Sequence, residues 1–129
     1  MLLPLCDGYD AWRDEVEKEL EQYGKSHPDY DDTIDSINEE CKKTSNRMRK
    51  GIETLCGKNS DISKDDGERI RLAFCMANKA LDTQFGWNTN GQQFVYYPFQ
   101  LGFILSTIES IANQDSDDRD ICDLLWVPT

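Results

Sequence analysis

With one histidine, His27, and no two cysteines at Cys-x-x-Cys spacing, the 129-residue chain lacks the side chains that build most metal and nucleophilic sites. His27 stands before Pro28 in a turn, which reads as a surface position and not as a catalytic base. The five cysteines (Cys6, Cys41, Cys56, Cys75, Cys122) are odd in number and scattered. They read as reduced thiols of a cytoplasmic protein and exclude a disulfide frame. No apolar run is as long as a membrane span, and the N-terminus has neither a basic region nor a full apolar core, so no membrane anchor and no secretory signal is expected. Basic charge is also scarce, with 14 lysines and arginines against 25 aspartates and glutamates. A protein that grips DNA alone usually shows a basic face, because phosphate neutralisation supplies most of the affinity.

What is present is enough for one folded domain. The chain is 38% hydrophobic and 30% charged, with a mean hydropathy of −0.69, which describes a surface-rich helical protein. Its net charge of −11 is uneven: −10 over residues 1–40, +4 over 41–85 and −5 over 86–129. The basic cluster is Lys42-Lys43, Arg47 and Arg49-Lys50, on a segment expected to be helical. It reads first as a solvated face that balances the acidic first segment. The sharper alternative makes Lys42, Lys43, Arg47 and Lys50 candidate contacts to a nucleic-acid backbone.

Three helices are expected in the first 85 residues. Trp12, Val16, Leu20 and Tyr23 form an apolar stripe between Asp10 and Tyr23, and Gly24 with Ser26-His27-Pro28-Asp29 ends it. From Asp31 to Leu55 the residues Ile34, Ile37, Cys41, Thr44, Met48, Ile52 and Leu55 alternate at three and four, the seam of a long helix in a hairpin. After Gly57-Lys58-Asn59-Ser60, Ser63 with Asp66 forms a capping pair for a third helix, whose inner face is Ile70, Phe74, Ala77 and Leu81. Antiparallel packing of these blocks is the expected arrangement.

The character changes over residues 86–129. Gly86 to Gly91 reads as loop, and Gln92 to Tyr97 as a short extended piece crowded with aromatics. Pro98 suits the first turn of a helix carrying Phe99, Leu101, Phe103, Ile104, Leu105, Ile108 and Ala112, apolar on much of its circumference. Gln114 to Asp120 is an acidic loop without the glycine and terminal glutamate of a calcium loop. Ile121 to Val127 reads as a buried strand, though an interior helix has the same periodicity. A continuous apolar strand normally sits inside a parallel sheet, which the other residues do not supply.

Three blocks carry a family resemblance: residues 73–80 (Ala-Phe-Cys-Met-Ala-Asn-Lys-Ala), 97–105 (Tyr-Pro-Phe-Gln-Leu-Gly-Phe-Ile-Leu) and 123–129 (Asp-Leu-Leu-Trp-Val-Pro-Thr). Together they resemble the run into motif I of a superfamily 2 helicase, and more narrowly the helicase component of the DISARM anti-phage defence system. The resemblance covers about residues 70–129 and, weakly, Tyr9 to Arg13. It implies a mainly α fold, a helical hairpin or bundle whose C-terminal strand would belong to a missing RecA-like parallel sheet. It divides the chain into a helical region, 1–85, and a region 86–129 that leads into a truncated motif I. It implies that Gln100 recognises adenine, with Tyr97 and Phe99 on the same side of the nucleotide, and that Pro128 and Thr129 begin motif I. The parent would use ATP and Mg²⁺ and act on DNA, and this segment would join the remainder of the helicase polypeptide and other defence-system subunits. The phosphate-loop lysine, the magnesium-binding hydroxyl, the acidic pair and the arginine finger are not among these residues, so no catalytic residue, metal site or bound cofactor is expected for the chain itself, and no ATP hydrolysis. The residues alone support a second class of function, a free-standing acidic helical module that binds a protein partner.

Overall fold

The spine of the molecule is a 25-residue helix against which the other three helices are laid. The computed structural model describes residues 2–124, comprising α1 (Leu3–Ser26), α2 (Asp31–Leu55), α3 (Lys64–Asn88) and α4 (Pro98–Ala112), with 3₁₀ turns at Pro28–Tyr30 and Asp117–Asp120. The fold is mainly helical, as the sequence periodicity requires. No helix among the described residues is long and apolar enough to cross a membrane.

α1 and α2 form the expected antiparallel hairpin. Pairings converge toward the turn, from Asp7–Arg49 through Asp10–Ser45 to Glu17–Lys42. Gly24 does not end α1 but lies inside its last turns, buried where a Cβ would come within 2.8 Å of the Asp31 carboxylate. α2 and α4 are brought together in a rising register, Met48 opposite Gly102 and Gly51 opposite Leu105, so the two helices run in the same sense. The core lies between them: Cys6, Met48, Ile52, Leu55, Leu105 and Ile108 are buried, with Leu2, Leu5, Tyr9, Ile70, Phe74, Leu101 and Ile104 packed around them.

α3 begins as predicted. Ser63 Oγ accepts the Asp66 N–H at 3.1 Å and donates to the Asp66 carboxylate at 2.6 Å. Ser63→Ala is therefore expected to cost about 1 kcal/mol, read as a lowered midpoint in thermal unfolding. Only the first half of α3 meets the core, through Gly67, Ile70 and Phe74. Ala77 and Leu81, expected on its inner face, are exposed, as are Leu72 and Met76.

One expectation for the second half needs correction. The helix runs on through Gly86 to Asn88, because the residues that stop it are Asn90 and Gly91, both at positive φ (56° and 88°). Gln92 to Tyr97 carries no regular structure, and Tyr97 at its end is extended. It folds back on the end of α3, with the Phe94 N–H donating to Asp82 Oδ1 at 3.0 Å and the Phe94 ring set edge-on against Phe85 and Tyr96. There is no strand among the described residues, and Ile121 to Leu124 carries no regular structure. The remainder of the expected strand, with Pro128 and Thr129, lies outside the described residues.

Candidate functional site

Two features meet at the N-terminal end of α4: a capped first turn that presents aromatics, and an open apolar groove. Pro98 opens the helix because it has no N–H to lose and its φ suits a first turn. The cap is then made by Gln100, whose Oε1 accepts the Tyr97 N–H at 3.0 Å while its own N–H donates to the Tyr97 carbonyl at 3.0 Å. Gln100 is half-buried, whereas Tyr97 and Phe99 are 67% and 41% exposed. Their rings lie nearly parallel, 5.9 Å apart and 10° from coplanar. The structure thus places Gln100, Tyr97 and Phe99 in one turn. The cap uses one lone pair of Oε1 and neither Nε2 donor, so the amide keeps both a donor and an acceptor for a planar ligand edge.

Beside this turn α1, α2 and α4 enclose a groove of about 690 Å³, lined in large part by Leu5, Tyr9, Trp12, Met48, Phe99 and Phe103. Tyr9 and Trp12 tilt together with centroids 5.4 Å apart. Burial pushes the Tyr9 phenol up to about 12, so it is a neutral hydroxyl at physiological pH. Asp123 and Leu124 close one lip of the groove. Asp123 is held there by Arg47, whose two terminal nitrogens donate to its two carboxylate oxygens at 2.6 and 2.7 Å. Arg47 Nε faces Asp118 at 3.6 Å. The Arg47 hydrogen bonds hold the Asp123 carboxyl below its ordinary range.

The basic cluster is spent on carboxylates of the same chain. Lys42 meets Glu17 and Glu39 at 3.7 Å, Lys43 meets Glu40 at 2.7 Å, and Arg49 binds Asp7 and Asp10. Lys50 reaches Glu109 at 3.2 Å and Asp61 at 3.7 Å. Arg47 is buried, and its guanidinium is directed to Asp118 and Asp123 of the segment after α4. Of these carboxylates all but Asp61 fall in the two acidic stretches, residues 1–40 and 86–129, which is what the alternating charge of the three segments implies.

The sequence reading passed over Glu109. It is 1% exposed and sits among Leu105, Ser106 and Ile108 on α4. Its carboxylate accepts from Ser116 Oγ at 2.6 Å and Asn113 Nδ2 at 3.0 Å, in addition to Lys50. Burial alone would raise its pKa, but the three donors more than offset this and hold the carboxyl below its ordinary value. One signal was available: Glu109 is the one acid inside an otherwise apolar helix, and a buried carboxylate must find partners.

Comparison with known proteins adds one relation. The chain is distantly similar to DISARM protein DrmA. Over 112 residues it is 28% identical to the protein of that name from Bacillus paralicheniformis, a match that covers 76% of this chain and 9% of that protein. The chain therefore spans less than a tenth of the length of this relative. No family model and no solved structure matches it.

Proposed function

We propose that this chain is the amino-terminal helical segment of a DISARM-type, ATP-dependent DNA helicase or translocase, supplying scaffold and the adenine side of the nucleotide site. The observation that carries the proposal is the similarity to DISARM protein DrmA along most of the chain but a small share of that protein, the pattern of a module within a larger machine. Support comes from the start of α4, where the Gln100 amide and the Tyr97–Phe99 pair share one exposed turn. An amide reads an adenine edge well because it donates and accepts side by side, and an aromatic face can stack on the base. The phosphate and magnesium groups would come from the remainder of the polypeptide, as would contact with DNA and any other defence subunits. Taken alone the chain turns over no ATP.

The test is made on the polypeptide extended through its phosphate loop. Gln100→Glu keeps an oxygen for the Tyr97 N–H but loses the amide donors. ATP affinity, read with a fluorescent analogue, is expected to fall about tenfold or more while GTP affinity changes little. An equal change for both nucleotides would sink the adenine assignment. The source gene past codon 129 gives a first check, since a phosphate-loop sequence there supports the helicase reading.

A second reading, an acidic helical module that binds a protein partner, is favoured by α3. Leu72, Met76 and the 80% exposed Trp87 give that helix apolar surface beyond what the core covers. A tight, monodisperse dimer of the isolated chain would favour this reading over the helicase segment.

A further inference from the structure

α3 carries a second apolar stripe, on the side turned away from the core. Leu72, Met76, Ala80, Thr83 and Trp87 recur at spacings of 4, 4, 3 and 4, which keeps them within about a quarter of the helix circumference. Ile70 and Phe74 meet the core from the opposite side, and the returning segment after α3 lies on Asp82 and Phe85, off the stripe. The stripe is open: Leu72, Met76 and Trp87 are 61%, 63% and 80% exposed, with Ala80 exposed and Thr83 half-buried between them. From Leu72 to Asn88 the charged residues are Lys79 and Asp82 alone, and both lie on one flank.

The spacing says what fits this face, because it reads nearly the same in reverse. About a centre between Lys79 and Ala80, Leu72 mirrors Trp87 and Met76 mirrors Thr83. A twofold axis there lays the α3 of a second copy antiparallel on the first. Met76 then covers the smaller Thr83, Leu72 meets the Trp87 indole, and the Ala80 methyls stand at the crossing, where small side chains let helices approach. The same rotation carries Lys79 of one copy toward Asp82 of the other, opposite charges beside the seam. α3 has four acids and four bases and sums to zero, whereas the chain sums to −11, so two copies meet there with little of their mutual repulsion. Leu72, Met76 and Trp87 expose on the order of 450 Å² of side chain, so pairing removes about 900 Å², and about 1,000 Å² with the alanines, the lower end of stable interfaces. We propose that the outer stripe of α3 is a self-association surface, occupied by the same stripe of a second copy in a reversible, antiparallel pair. The pairing rests on the partner-binding reading of α3 and uses neither the groove nor the Gln100 turn.

Sedimentation equilibrium is expected to show the mass rising from 14.9 kDa toward twice that value across the micromolar range. With Trp12→Phe and Trp126→Phe, Trp87 is the single tryptophan, and its emission is expected to shift to the blue over the same concentrations. Met76→Asp is expected to weaken the pair about tenfold or more and to keep Trp87 solvent-like. Circular dichroism should stay helical, because the Met76 side chain lies mainly in water. Leu72→Asp, one turn earlier, carries the test if the Met76 variant fails to fold. Ile111→Asp, 64% exposed on α4, adds the same charge off the stripe and is expected to change nothing. A chain that stays monomeric at every concentration overturns the proposal. If its Trp87 emission is then solvent-like, the stripe is left to a different protein and the partner-binding reading stands. If the emission is already blue-shifted, the chain covers the stripe itself and both fall. A dimer that neither substitution weakens overturns the stripe alone and puts the contact on another face.

Discussion

Gly51→Ala is expected to lower the unfolding free energy by about 2–3 kcal/mol, against a helix-propensity gain of about 1 kcal/mol that the same change would bring elsewhere. The added methyl would overlap the Leu105 carbonyl, and the Leu105 carbonyl carbon would stand 2.9 Å away. Backbone on the facing helix cannot step aside as the end of a side chain can, so α4 must lift from α2 along the whole contact. Because Met48, Ile52, Leu105 and Ile108 meet across that contact, the lift opens the centre of the core. Gly8→Ala on α1 is the control. Nothing lies within 4 Å of the added atom there, so a small gain in stability is expected. Thermal or urea unfolding of the two variants measures the difference. Equal effects would mean that α2 and α4 do not approach as closely as Gly51 permits.

Glu109→Ala is expected to cost about 2–4 kcal/mol, because it strips a buried acceptor from Ser116, Asn113 and Lys50 at once. The same site sets an acid limit. A carboxyl whose folded pKa lies below its unfolded value of about 4.5 contributes stability that is complete above that value. This stability is lost as pH falls through the lower, folded value. Asp10, held down by hydrogen bonds from Arg49 and Ser45, and Asp123, held down by Arg47, act in the same direction. Unfolding below pH 4.5 should therefore be steep in the parent and shallower in Glu109→Gln, which has no charge there to lose. Lys50→Met leaves the carboxylate without its cation, so acid unfolding of that variant is expected to begin at higher pH. A pH titration of the denaturation midpoint for the three proteins decides the matter, and parallel curves would remove Glu109 from the explanation.

The hairpin was legible because its apolar residues recur at helical spacing. Ile34, Met48, Ile52 and Leu55 of the α2 seam are indeed buried. Ile37, on the same seam, is 44% exposed, while Asn38, Ser45, Arg47 and Thr54 are buried. Periodicity sees only the apolar half of an interface. Whether a serine or arginine goes inside depends on a partner such as Asp10 or Asp123, placed 35 or 76 residues away. The end of α3 was misplaced for a related reason. Gly86 signalled a break, but a glycine in helical conformation stops nothing, and the termination belongs to the positive φ angles of Asn90 and Gly91. At the candidate site the position of Gln100 in the first turn followed from Pro98. The groove did not, because its walls come from α1, α2 and α4 and become neighbours only on folding.

The attachment of α3 by its first half alone has a kinetic meaning. Past Phe74 the helix leaves the core and is covered only by the returning segment Gln92–Tyr97, while much of α2 lies under the core. Amide protons from about Met76 to Asn88 should exchange through local openings far cheaper than global unfolding, whereas those around Gly51 should wait for the whole domain to open. The molecule therefore behaves as a rigid three-helix body carrying a loosely cooperative arm, and whatever grips that arm will register first as slowed exchange along it.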